Sequence, residues 1–205
     1  MDLIAVTDGR HSDKELLSII IQIKDHVDFV HIREKTKPAG GLFALLHALI
    51  ESGVPREKIV VNDRLDLALL HKVHGVHLPG LGLPVRAIRE QFPHLKIGRS
   101  VHSFAEAELA EKEGADYMLY GHIYETHSKK GRMPRGLTEM SLITQSINLP
   151  IYAIGGVTPE RVNELRQKNL AGIAVMSGIF ASENPGEAAK RYFAACKEGH
   201  DDSTL

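Results

Sequence analysis

Eight short runs rich in Val and Ile, spread evenly over 205 residues, most strongly limit what this chain can fold into. They are "LIAVT" (3–7), "FVHIR" (29–33), "KIVVN" (58–62), "GVHL" (75–78), "KIGRS" (96–100), "YMLYG" (117–121), "IYAIG" (151–155) and "IAVMS" (173–177). Runs of this length and β-branched content suit strands. Between them, "DKELLSIIIQIKDHV" and "AEAELAEKEG" carry apolar residues at helical spacing. "TPERVNELRQKN" opens with Thr and then Pro, a helix-start signal, and "NPGEAAKRYFAACKE" supplies the last helix. Strands alternating with helices demand a parallel sheet, either open and doubly wound or closed into a barrel. Two features favour closure. The strands continue to the end of the chain with no G-x-G-x-x-G after the first, and "VHGVHLPG", "GADYMLYG" and "LAGIAVMSG" repeat one strand-ending design. The expected fold class is therefore α/β, a single-domain (βα)8 TIM barrel over residues 1–198, with 199–205 as a polar C-terminal tail.

Composition excludes several functions. Formal net charge is -1, so no global field draws the chain to nucleic acid or an anionic membrane. One cysteine, Cys196, rules out an internal disulfide framework and a cysteine metal cluster. The N-terminal "MDLIAVTDG" has an acid at position 2 and reads as a first strand rather than a leader. "LLSIIIQI" is too short to span a bilayer, which takes about 20 residues. The expectation is a cytoplasmic protein with no membrane or nucleic-acid partner, and a homodimer is compatible with the sequence.

Active sites of such barrels lie where strands end and βα loops begin. Those ends read "TD" (7–8), "REK" (33–35), "NDR" (62–64), "HLPG" (77–80), "SVHS" (100–103), "GHIYETHSKK" (121–130), "GG" (155–156) and "SG" (177–178). Gly155 and Gly156, with Ser177 and Gly178, offer free backbone N–H groups after strands seven and eight, the usual phosphate cradle. Lys129, with Thr126 and Ser128 on its loop, is placed to close over the same anion. Arg33 and Lys35, two apart on an extended chain, are expected to point inward with Glu34 outward, toward an anionic ligand or toward Asp63. Asn62 and Asp63 resemble half of a magnesium site, but "HLPGLGLP" (77–84) supplies no second acid. Ser100 closes the fifth strand, and His122 stands directly behind Gly121 at the head of the phosphate loop.

Taken together, "VTD", "VHIREK", "VNDRLDLAL", "GVHL", "IGRSVHS", "ADYMLYGHIYETHSKK", "IYAIGG" and "GIAVMSGI" resemble the thiamine phosphate synthase family in order and spacing. The resemblance runs from the first strand to the eighth. It implies a (βα)8 barrel that joins a hydroxymethylpyrimidine diphosphate to a thiazole phosphate, with Mg²⁺ on the diphosphate. Two positions depart from the pattern. Gly82 stands where the family has a second metal-binding aspartate, and His122 replaces a proline in the loop after strand six. Thr126, Ser128, Lys129, Gly156, Met176 and Ser177 keep family counterparts.

Those departures make the chain similar to the thiazole tautomerase (TenI) branch. That branch implies an isomerase that aromatises a carboxythiazole phosphate, with His122 moving the proton and Lys35 assisting. Substrate would be held by Arg33, Asn62, Asp63, Ser100, Thr126, Ser128, Lys129, Gly155, Gly156, Met176 and Ser177, without cofactor or metal. A neutral imidazole suits that proton transfer near neutral pH. Two alternatives stay open: a thiamine phosphate synthase with a divergent metal site, and a non-catalytic protein that binds thiazole phosphate and regulates another process.

Overall fold

A computed structural model describes residues 1–126, 131 and 133–198. Its eight strands are β1 (Asp2–Val6), β2 (Phe29–Ile32), β3 (Ile59–Asn62), β4 (Gly75–Leu78), β5 (Lys96–Val101), β6 (Tyr117–Gly121), β7 (Ile151–Ile154) and β8 (Gly172–Val175). All neighbours pair in parallel in sequence order, and β1 closes on β8 with Leu3 beside Ile173. The expected barrel is present. The helices between strands are α1 (Asp13–Ile23), α2 (Ala39–Glu51), α3 (Leu65–His71), α4 (Val85–Gln91), α5 (Phe104–Lys112), α6 (Leu137–Ser146) and α7 (Val162–Arg166). The short α8 (Ser177–Phe180) and α9 (Pro185–Lys197) follow β8. The 199–205 tail lies outside the described residues.

Strand alternation divides the core into two layers. Leu3, Ala5, Val30, Ile32, Ile59 and Val61 face the helices, against Leu16, Ile20, Leu46 and Leu49. Ile4, Val6, Leu119, Tyr152 and Ala174 fill the barrel interior. Each fully buried Leu or Ile contributes roughly 1.5–3 kcal/mol, so the outer layer holds the helical ring to the sheet.

Helix starts are locally encoded. Ser12 and Glu15 form a reciprocal capping box on α1, and Ser103 accepts from the Glu106 N–H at the start of α5. Asn184 caps α9, with Pro185 opening it. The helix expected to start at Thr158 differs. Pro159–Arg161 form a 3₁₀ turn, Thr158 makes no side-chain cap, and the α-helix begins at Val162.

The two mouths of the barrel differ. At the N-terminal mouth Asp116 accepts from the Ile97 N–H at 2.7 Å and pairs with Arg89 at 2.5 Å. There a cavity of about 250 Å³ is lined by Phe29, His31, His74, Lys96, Tyr117 and Tyr152, among others. The chemistry-bearing strand ends occupy the other mouth.

Candidate functional site

Parallel closure brings every described site candidate to one rim. Arg33 and Lys35 follow β2, Asn62 ends β3 with Asp63 after it, and Ser100 lies near the end of β5. His122 and Thr126 follow β6, Gly155 and Gly156 follow β7, and Met176 and Ser177 follow β8. Ser128 and Lys129 lie outside the described residues.

The β2 end differs from expectation. Glu34 is buried at 6% exposure and Lys35 is exposed, the reverse of the expected orientation of that pair. The cause is that β2 stops at Ile32 and the chain turns, with the Lys37 N–H donating to the Glu34 carbonyl. Two-residue alternation therefore does not extend through 33–35. Glu34 faces Lys37, whose Nζ lies 3.6 Å from it and 2.6 Å from Asp13. The bond to Asp13 raises the Lys37 pKa above its usual value. Among the described residues neither Arg33 nor Lys35 forms an ion pair, and the alternative of an Arg33/Lys35–Asp63 bridge does not form. The main chain of Arg33 is anchored through its N–H to the fully buried Thr7 hydroxyl at 2.8 Å.

Asp63 takes a left-handed backbone with φ 60°, and its N–H donates to the His77 carbonyl at 2.9 Å. Gly82 lies against it: a Cβ at position 82 would stand 3.0 Å from Asp63 Oδ1. A side chain at 82 would thus reach the carboxylate of Asp63, and Gly82 brings none. No group of three His, Cys, Asp or Glu residues that could hold a metal exists among the described residues. The donor set does not fit a two-carboxylate Mg²⁺ site. Arg99, which the sequence reading passed over, straps this loop by donating to the Gly80 carbonyl at 2.9 Å and the Leu83 carbonyl at 3.1 Å.

The β6 and β7 ends are one unit. The Ile123 and Tyr124 N–H groups donate to the Ile154 and Gly155 carbonyls, each at 3.0 Å, so the loop continues the sheet past its last strand residues. Gly155 and Gly156 have φ of +101° and +68°, and Cβ atoms there would meet His122 Cβ at 2.4 Å and the Glu125 carbonyl oxygen at 2.3 Å. These glycines are needed for close approach and turn geometry, whatever they bind. His122 is 8% exposed, and its carbonyl accepts from the Arg135 N–H. Ser177 is exposed and begins a helix of only four residues.

Four further histidines are placed by the structure. His102 bonds Glu106 at 3.2 Å, His74 lines the N-terminal cavity, and His31 and His77 lie buried inside the barrel. Burial pushes His77 down to about 3, helped by the charge of Arg99, and depresses His31 well below the usual value.

Comparison with known proteins covers almost the whole chain. The family model described as thiamine monophosphate synthase matches residues 3–179. Thiamine-phosphate synthase of Chlorobium luteolum is 39% identical over 178 residues, covering 84% of this chain and 82% of that protein. Its counterpart in Natronomonas pharaonis is 36% identical, covering 91% and 90%. The solved thiamine phosphate pyrophosphorylase of Pyrococcus furiosus superposes with a TM-score of 0.81 at 28% identity, covering 96% of each chain. A 3-hexulose-6-phosphate synthase with a TM-score of 0.76 is only 16% identical and shares the fold alone.

These names overturn the expected enzyme class. The relatives are synthases, which are transferases, and not isomerases; nothing in them singles out the thiazole tautomerase (TenI) branch. That expectation weighed two substitutions, Gly82 and His122, above a likeness spread along the chain. Its physical weakness is that a histidine at a strand end does not define a proton transfer. The structure packs His122 against Gly155, a setting that serves loop architecture equally well.

Proposed function

Because the chain belongs to the thiamine monophosphate synthase family, we propose that it is a thiamine-phosphate synthase, a transferase joining a pyrimidine diphosphate to a thiazole phosphate. One geometric observation carries the reading beyond the likeness. The rim has two separate ends suited to anions. On one side stand Arg33 and Lys35, which have no ion-pair partner among the described residues, beside Asn62; on the other lie the Gly155–Gly156 turn and Ser177. In the closed order of strands, β3 and β7 lie opposite one another. Two phosphorylated substrates facing each other across one mouth fit such an arrangement.

In this reading Arg33 and Lys35 meet the charge that gathers on the diphosphate as its bond to the pyrimidine portion breaks. Asn62 and Ser100 orient it by hydrogen bonds. The Gly155–Gly156 backbone and Ser177 hold the thiazole phosphate, with Thr126, Ser128 and Lys129 completing the grip and Met176 against the ring. His122 forms the wall between the two ends. No step is routed through a metal, since Asp63 lacks its second carboxylate. The proposal places the protein in the cytoplasm, which suits the buried free thiol of Cys196, pushed up to about 11 by burial. No described helix is long and apolar enough to cross a membrane.

The test is direct: supply both substrates and measure inorganic diphosphate together with the coupled product. Stoichiometric release of the two supports the reading. Intact substrates after prolonged incubation, with ligand binding retained, would overturn it.

A further inference from the structure

Four polar side chains form a continuous line inside the barrel, leading from the N-terminal cavity to the functional rim. The Tyr117 hydroxyl, at the start of β6, lies 3.3 Å from His31 Nε2 and 3.3 Å from His77 Nδ1. His77 Nε2 lies 2.8 Å from Ser100 Oγ. Both imidazoles are 2% exposed, and His31 and Tyr117 line the cavity. Gly98 makes the room: a Cβ there would meet the Tyr117 ring at 2.1 Å and His77 Nδ1 at 2.6 Å.

The protons in this line are coupled. A neutral imidazole donates from one nitrogen and accepts at the other, and a hydroxyl has one hydrogen. In one arrangement His31 Nε2–H donates to Tyr117, Tyr117 O–H donates to His77 Nδ1, and His77 Nε2–H donates to Ser100 Oγ. The Ser100 hydrogen is then free for the rim. In the reverse arrangement Ser100 donates to His77 Nε2, and only a lone pair faces a ligand. When the Tyr117 hydroxyl accepts from one imidazole and donates to the other, all the links point the same way along the line. An anion has no hydrogen to donate, so it selects the first arrangement.

We propose that His77 is a positioning residue which, held in its Nε2–H tautomer by Tyr117, presents the Ser100 hydroxyl hydrogen to an anionic oxygen of the substrate. The inference rests on the reading of this rim as a diphosphate site. It extends that reading to His77 and Tyr117, which stand behind the Ser100 hydroxyl inside the barrel.

Nitrogen-15 NMR of histidine-labelled protein reads the tautomer directly, with and without inorganic diphosphate. The wild-type protein with diphosphate should show His77 protonated at Nε2. Tyr117→Phe keeps the volume and removes the hydroxyl, so His77 should become a mixture of tautomers. Diphosphate should then bind roughly 3- to 10-fold more weakly, the loss of about one ordinary hydrogen bond. Should that variant not fold, Ser100→Ala serves instead, and its loss of the acceptor should move the His77 Nε2–H resonance. An Nδ1–H tautomer in the wild-type complex overturns the proposal, as does a Tyr117→Phe protein with unchanged tautomer and affinity or a Ser100→Ala protein with an unmoved resonance. Failure of the functional reading looks different: no coupled product would form while the tautomer and its response to Tyr117→Phe remained.

Discussion

A methyl group at Gly155 would stand 2.4 Å from His122 Cβ, on a backbone whose φ is +101°. Gly155→Ala should therefore destabilise the protein by about 1–3 kcal/mol through strain and overlap. Gly80 also lies on the rim, where a Cβ would find nothing nearer than 3.7 Å. Gly80→Ala should stay within about 0.5 kcal/mol, and urea midpoints compare the two. Arg33 tests charge rather than space. With no carboxylate partner among the described residues, its guanidinium is available to ligand, and Arg33→Ala should weaken diphosphate binding by about 1.5–3 kcal/mol in calorimetry. Asp63 stands opposite a glycine, so chelation with EDTA should leave diphosphate affinity within about threefold. A larger loss on chelation would mean that a cation is held by some other set of oxygens.

The elements around the barrel start from short local signals, and those signals can be weighed separately from the site. Ser12 and Glu15 exchange bonds at the head of α1, with the Glu15 N–H donating to Ser12 Oγ and the Ser12 N–H donating to Glu15 Oε2 at 2.9 Å. Ser12→Ala leaves an orphan N–H in the first turn and should cost about 1 kcal/mol by urea denaturation, with substrate affinity unchanged. Thr158 offers no such cap, so Thr158→Ala should cost less than Ser12→Ala. Equal losses would show that the 3₁₀ turn depends on the Thr158 hydroxyl after all. Loops at the rim rely on longer ties: Arg99 crosses from β5 to hold the two carbonyls of the Gly80–Leu83 turn.

For the whole molecule, the buried histidines set an acid limit. Burial holds the folded pKa values of His31 and His77 below the ordinary histidine value of 6.5, with His77 at about 3. Below 6.5 the unfolded chain takes up protons that the folded barrel refuses. Their contribution to stability is thus complete above about pH 6.5 and falls as pH drops toward the folded values. Each adds to the slope of stability against pH in that window, superimposed on the carboxylates at the lower end. Urea midpoints at pH 7.5, 6 and 5 should fall progressively, and His77→Gln should flatten the decline by one histidine's share. A midpoint constant from pH 7.5 to 5 would contradict neutral burial of the pair.

Strand positions were readable from sequence to within one or two residues, because apolar periodicity and β-branched content are local properties. The convergence of Arg33, Asn62, Ser100, His122 and Gly155 on one mouth followed from a parallel barrel, in which every strand ends on the same side. Local patterns failed where the chain left its period: Glu34 is buried because β2 stops one residue before Arg33. They also could not assign chemistry from Gly82 and His122, since two positions do not outweigh family likeness over residues 3–179. The line His31–Tyr117–His77–Ser100 belongs to tertiary structure alone. Tyr117 lies 86 residues from His31 and 40 from His77 in sequence. Only the register of β2, β4, β5 and β6 in a closed sheet brings their side chains into hydrogen-bond reach, and only the absent side chain of Gly98 leaves them room.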